Sequence, residues 1–210
     1  MINNKSIAVI TGDIINSRTK TNPNIWIEPL KDALSYLQHN TSKWQIFRGD
    51  SFQIEFESYH NCLNATAYIK SCIKSIKGLD VRIAIGIGKK SYEGKNVSES
   101  NGEAFIYSGE IFEKLKKEKQ NIKLKTKDEY LNKEVNLYFK LALIAMDNWT
   151  VNSAQIIKLS LENPNMIQSE LASIIGISQD AVSKRKKRAY LNEILELNNI
   201  LNHKLKNLKQ

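Results

Sequence analysis

Asp13 and Asp50 are the residues whose type and placement point to chemistry. Asp13 directly follows the run Ser6–Gly12 (SIAVITG), and Asp50 stands in the Gly49-Asp50 pair between WQIFR and SFQIEFE. The apolar, β-branched run reads as a buried strand. The alternation of Phe52, Ile54 and Phe56 with Gln53, Glu55 and Glu57 reads as a strand with one solvated face. If these are the first and third strands of one sheet, adjacent and antiparallel, the two carboxylates become neighbours. Neighbouring carboxylates repel unless a metal cation, an Arg or Lys, or a shared proton compensates. Mg²⁺ or Mn²⁺ would do so, because such ions accept carboxylate oxygens together with phosphate oxygens and water. The competing reading is a pair of turn residues, since Gly-Asp is a common turn dipeptide.

The elements that must position these aspartates alternate along the first half. Ile25 to Leu37 places Ile25, Ile27, Leu30, Ala33, Leu34 and Leu37 on one helical face, and Tyr59–Ile76 repeats the helical spacing. Trp44–Arg48 and Ser51–Glu57 read as two strands joined by a tight turn, and Val81–Gly88 (VRIAIGIG) reads as another strand. The order β-α-β-β-α-β predicts an α+β fold with a ferredoxin-like (palm-like) antiparallel sheet. A polar loop (Lys89–Asn101), a helix (Gly102–Lys119) and a short strand (Asn121–Thr126) complete a first domain at 1–126. From Lys127 every periodic segment is helical, with no Gly/Ser linker, so 127–210 reads as an all-α domain joined by a helix near Lys127–Asn148.

Four short blocks carry a family resemblance. Ala8–Arg18 (AVITGDIINSR), Arg48–Gln53 (RGDSFQ) and Arg82–Gly88 (RIAIGIG) resemble the bacterial SatD family. Ser100–Phe105 (SNGEAF) resembles that family's segment between the last core strand and its helix. More distantly, the first three resemble the palm of class III nucleotide cyclases and GGDEF enzymes. The resemblance spans roughly residues 5–120. It implies a metal-dependent nucleotide site with Asp13, Asp50 and the Ile14 carbonyl as ligands. It also implies Ser17 and Arg18 at phosphate oxygens, Arg18 as a bidentate donor, and Lys89 and Lys90 neutralising a triphosphate or standing as solvated loop lysines. Ser51 occupies the place of the second acid of GGDEF enzymes, which argues against a diguanylate cyclase. No residue matches those that read the base or stabilise the cyclisation transition state, so nucleotide binding is favoured over turnover.

A second constellation lies at Met166–Arg188 (MIQSELASIIGISQDAVSKRKKR). Ala172, Gly176, Ile177 and Val182 have helix-turn-helix spacing: a small residue where the helices approach, a glycine for the turn, and two apolar plugs. Ser178 suits an N-cap. Lys184, Arg185, Lys186, Lys187 and Arg188 form a cationic run suited to DNA phosphates, with Gln179 and Ser183 placed for base edges. The alternative is a three-helix bundle with a solvated basic face. Lys186, four residues after Val182, replaces the apolar residue usual there and predicts early unwinding of the second helix. The Leu191–Leu208 stretch is amphipathic, as a core helix or a homodimer seam.

With 31 Lys+Arg against 22 Asp+Glu the chain is +9, which favours anionic partners such as double-stranded DNA or nucleotide. No apolar stretch approaches the ~18 residues of a membrane span, and the start MINNKSIAVITGD lacks a secretory apolar core. Two cysteines make neither a disulfide framework nor a four-ligand zinc site. A cytoplasmic protein is expected. His39, His60 and His203 fall in different elements, and neither GxGxxG nor GxxxxGK[ST] occurs. The function expected is a nucleotide-responsive, DNA-binding regulator. A nucleotidyl cyclase, or an interaction module with a degenerate palm, is the alternative.

Overall fold

Alternating apolar residues in the first half pair into one sheet. The computed structural model describes residues 6–206. In chain order the elements are β1 (Ser6–Ile15), α1 (Asn24–Leu37), β2 (Trp44–Phe47), β3 (Ser51–Phe56), α2 (Cys62–Lys74), β4 (Asp80–Tyr92), β5 (Asn101–Gly102), α3 (Glu103–Glu118) and β6 (Ile122–Lys125). Five helices follow: α4 (Glu129–Met146), α5 (Val151–Glu162), α6 (Gln168–Ile175), α7 (Gln179–Arg188) and α8 (Leu191–Lys206). The result is a mixed α+β fold. Its strand order is β2-β3-β1-β4-β5, and every pair on that path is antiparallel; β6 joins β4 in parallel.

The two faces of the sheet bury different partners. Ala8, Ile10, Ile14, Phe52 and Ile54 pack against Trp26, Leu30 and Leu34 of α1 and Leu63, Ile69 and Ile73 of α2. Ile10, Ile54, Ile83 and Ile85 are fully buried, each contributing roughly 1.5–3 kcal/mol over an exposed side chain. Ile7 and Val9, on the opposite face, pack against Val97 and against Ala104 and Phe105 of α3. There α3 lies directly on the β4 backbone: a Cβ on Gly86 would stand 2.0 Å from the Ala104 carbonyl oxygen, and one on Gly88 2.6 Å from Glu103 Cβ. The glycines of RIAIGIG are therefore a helix seat inside a strand.

The first core continues without a break into the second half. It includes Val135, Phe139, Leu143 and Met146 of α4, Trp149, Ile157 of α5, and Leu191, Ile194 and Leu201 of α8. Polar contacts reinforce it. Lys70 of α2, fully buried, donates to Asp80 (2.6 Å) and to Asp147 at the end of α4 (2.7 Å). Asn198 and Asn202 of α8 donate to the Asn61 side chain ahead of α2, and accept from the backbone N–H groups of Asn64 and Asn61.

Several boundaries differ from the sequence reading. β1 runs through Ile15, so Asp13 lies inside a strand rather than after it, because both neighbours keep pairing: Asp13 faces Ser51 on one side and Arg82 on the other. Arg48 leaves the strand and sits in the turn with φ 54°, next to Gly49 at φ 84°. β4 extends through Lys89 and Lys90 to Tyr92, because β5 pairs with its far end. α2 starts only at Cys62, since Asn61 before it is left-handed (φ 61°). α7 does not unwind at Lys186; it continues to Arg188 with Lys186 half-buried. Leu208, read as part of the last helix, lies outside the described residues. No helix among the described residues is long and apolar enough to cross a membrane.

Candidate functional site

The register brings Asp13 and Asp50 to one corner of the sheet. Asp13 pairs with Ser51, the neighbour of Asp50, and the Ile14 N–H donates to the Asp50 carbonyl at 2.9 Å. The β2–β3 turn that carries Asp50 is held by Trp26, whose Nε1–H donates to the Gly49 carbonyl at 3.3 Å. The buried Ser17, in a 3-10 turn just past β1, donates its hydroxyl to Asp50 Oδ2 at 2.7 Å.

The counter-charge at this corner is Arg82. Directly across β4 from Asp13, its guanidinium takes both Asp13 oxygens, Nε to Oδ1 at 2.8 Å and Nη2 to Oδ2. Both side chains are about four-fifths covered (20% and 18% exposed), so the pair is shielded from water and salt. Hydrogen bonding to Asp13 raises the guanidinium above its ordinary pKa, burial opposes, and the charges of Asp13 and then Asp50 add to the rise. Sequence reasoning missed Arg82 as a member of the site. The signal was one charged residue in an otherwise apolar strand, at the position that antiparallel counting sets opposite Asp13.

The remaining nucleotide-site residues divide. Arg18 follows Ser17 in the 3-10 turn and is exposed at the same corner, and Arg48, also exposed, stands two residues before Asp50. Arg48 is a second cation that the sequence reading left unused. Lys89 and Lys90 are elsewhere: Lys89 pairs with Ser6, at the opposite end of β1 from Asp13. Seven or eight residues of strand separate them from Arg82, about 23–26 Å. Lys90 is held there by Glu55 and Glu93, each at 2.6 Å, and Lys43 joins the same carboxylates. These lysines form a separate, charge-balanced network and do not reach the corner.

The donor set at the corner, two carboxylates with the Ile14 carbonyl, suits a hard ion that completes its shell with water and phosphate. Both Asp13 oxygens accept from Arg82, so an ion ligated by Asp13 would either use their remaining lone pairs beside the guanidinium or displace it. Beside the corner a groove of about 490 Å³ runs from Ile15 and Asn16 to Trp149, Thr150 and Val151, with Lys74, Lys77 and Asn121 on its walls.

At the second constellation α6 and α7 are joined by a short turn. Leu171, Ala172 and Val182 bury against Ile156 of α5, with Ile175 and Ile177 at the edge. Gly176 ends α6 in the left-handed region (φ 66°), and its N–H and that of Ile177 both donate to the Ala172 carbonyl. Ser178 caps α7 by accepting from the Ala181 N–H at 3.2 Å. With Val182 inward, Gln179, Ser183 and Lys187, and beside them Lys184 and Arg188, share one exposed face. Arg185 and Lys186 are half-buried at its margin, where desolvation lowers the Lys186 pKa. Lys184 pairs with Asp180 at 2.7 Å, but both are largely exposed, so that pair is weak. The far end of α7 is tied down: Trp149 Nε1–H donates to the Ala189 carbonyl at 2.9 Å. Comparison with protein-family models, with curated proteins and with solved structures gives no match.

Proposed function

We propose that this chain is a nucleotide-responsive, DNA-binding regulator of the SatD kind, with a palm-like sheet as sensor and a helix-turn-helix as output. The observation that carries the reading is the exposed face of α7. It presents Gln179 and Ser183 near the helix start and Lys184, Lys187 and Arg188 further along, behind a glycine turn and a serine cap. Such a helix suits the major groove, with cations on phosphates and amide or hydroxyl groups on base edges.

Support for the sensor half comes from the strand order β2-β3-β1-β4, the order of a ferredoxin-like palm. Further support is the shared corner of Asp13 and Asp50. In this reading Asp13, Asp50 and the Ile14 carbonyl would hold Mg²⁺ or Mn²⁺, which would neutralise a bound phosphate chain. Arg18 and Arg48 would bind its outer oxygens as planar donors. Lys89 and Lys90 have no part in it. Response is reasonable because the groove beside the corner is walled by Trp149, and Trp149 holds the end of α7. A ligand there would bear on α7 through one side chain.

The test is duplex binding by fluorescence anisotropy at low salt, with and without ATP, GTP or cyclic nucleotides plus Mn²⁺. Binding that shifts with a nucleotide supports the reading, and linkage requires an equal shift in nucleotide affinity on DNA. Absence of duplex binding would sink the output half. Steady turnover of a nucleotide would make the sheet a signal-producing enzyme.

A further inference from the structure

Helix α4 has two apolar faces, and among the described residues only one is covered. Leu131, Val135, Phe139, Leu143 and Met146 face the core. On the other side Tyr130, Leu137, Leu141 and Ile144 are 80%, 54%, 59% and 69% exposed. With Glu134, which hydrogen-bonds Tyr138 and pairs with Lys204, they follow the 4-3-4-3 spacing of a two-helix seam. A solvent-facing helix surface is ordinarily polar. This one continues into an apolar groove of about 610 Å³ between α4 and α8, lined by Leu141, Ala145, Tyr190, Ile194, Leu197 and Ile200.

We infer that this face is the interface of a two-fold homodimer, with α4 and α8 of one copy packed on α4 and α8 of a second. Area is the first argument. The exposed portions of Tyr130, Leu137, Leu141, Ile144, Tyr190 and Ile200, tyrosine hydroxyls and backbone included, add to roughly 700 Å², near the ~800 Å² that each partner buries in a standard interface. Self-complementarity is the second. An isologous contact sets one patch against itself, so its rim must carry both charge signs; here it has Lys133 and Lys140 with Glu129 and Glu193, all exposed. A uniformly basic rim would have rejected a second copy of this +9 chain. The seam spacing is the third, since it suits a helix of the same repeat. The inference goes beyond the proposed function and does not depend on it.

The experiment is sedimentation equilibrium of the full chain with Leu141→Glu and Ile144→Lys as separate variants, each checked by circular dichroism for retained fold. The wild type, 24.0 kDa per chain, is expected with about 80% of its chains in the dimer at about 10 μM, ten times a micromolar dissociation constant. Each variant is expected to dissociate at least about 30-fold more readily, the scale of an interface hot spot. As a control, Glu57→Lys, on an exposed residue beyond β3, should leave that fraction unchanged. A wild type that sediments as single chains at that concentration overturns the dimer, as does a dimer that both folded variants keep. Single chains that bind lipid vesicles or another protein through this face overturn it equally. Duplex binding is measured separately, so loss of the dimer and loss of the DNA reading are distinguishable.

Discussion

If α7 lies along DNA, its cations set a slope that can be counted beforehand. Lys184, Lys187 and Arg188 share the exposed face, and Arg185 stands at its margin. Three or four phosphate contacts per chain give log-affinity against log-salt slopes of about −2.7 to −3.6, at about −0.9 per contact. Raising salt from about 50 to 200 mM should then weaken binding about 40- to 150-fold. The Lys184–Asp180 pair, exposed on both sides, subtracts only about 0.3–0.5 kcal/mol from that contact. Lys187→Ala with Arg188→Ala should flatten the slope by about 1.8 units without altering the fold, because both side chains are exposed. Gln179→Ala, by contrast, should leave the slope unchanged while reducing discrimination between sequences by about 1–3 kcal/mol. Fluorescence anisotropy on a short duplex across five salt concentrations measures all three proteins. A wild-type slope shallower than about −1, or an identical slope in the double variant, would refute the docking of this face on phosphates.

Three other outcomes are expected. Lys70→Ala leaves Asp80 and Asp147 facing each other with Lys74 alone to balance them, and should cost about 3–5 kcal/mol, or about 6–20 °C of melting temperature by calorimetry; a loss under about 1 kcal/mol would show that the network contributes little. Arg82→Gln frees the Asp13 carboxylate and should tighten Mn²⁺ binding at least about tenfold in a paramagnetic titration, whereas Asp13→Asn weakens it; equal affinities would place the ion elsewhere. Cys62 and Cys72 have thiols pushed up to about 12 by burial, so native protein at about pH 8 should resist a thiol reagent that labels both in urea; labelling should rise only as pH approaches that value or as the fold opens, and rapid native labelling would contradict their burial.

The sheet was legible in the sequence because period-two alternation reports which face of a strand is buried. For the same reason the adjacency of Asp13 and Asp50 could be anticipated: topology alone sets the end of β1 beside the start of β3. Arg82 was overlooked because a single charge inside VRIAIGIG has no local meaning until the register sets it opposite Asp13. Lys89 and Lys90 misled in the opposite way. A polar run after an apolar strand reads as loop, yet β5 and Glu55 hold it as strand and draw it away from the corner. The turn of α6 and α7 was readable from Gly176 and Ser178, since a left-handed glycine and a hydroxyl cap are local devices. Lys186 broke the pattern without breaking the helix: it is half-buried one turn after Val182, and desolvation lowers its pKa. The outward face of α4 carries no local marker at all, since one helix with two apolar stripes differs from a buried helix only in what surrounds it.

The return of α8 to the start of α2 sets the order in which the chain can mature on the ribosome. The six strands of the described residues have all been synthesised by Lys125, but part of the surface behind them waits for α4, Trp149, Ile157 and the residues of α8 that close the same core. At about 5–20 residues per second, the eighty residues from Thr126 to Leu205 take about 4–16 s to make. During that interval the nascent sheet layer shows oily surface to solvent or to a chaperone. Asn61 meets its α8 partners only after Asn198 and Asn202 emerge. A message cut short anywhere before α8 should therefore give a product fated for proteolysis, rather than a free-standing sheet layer.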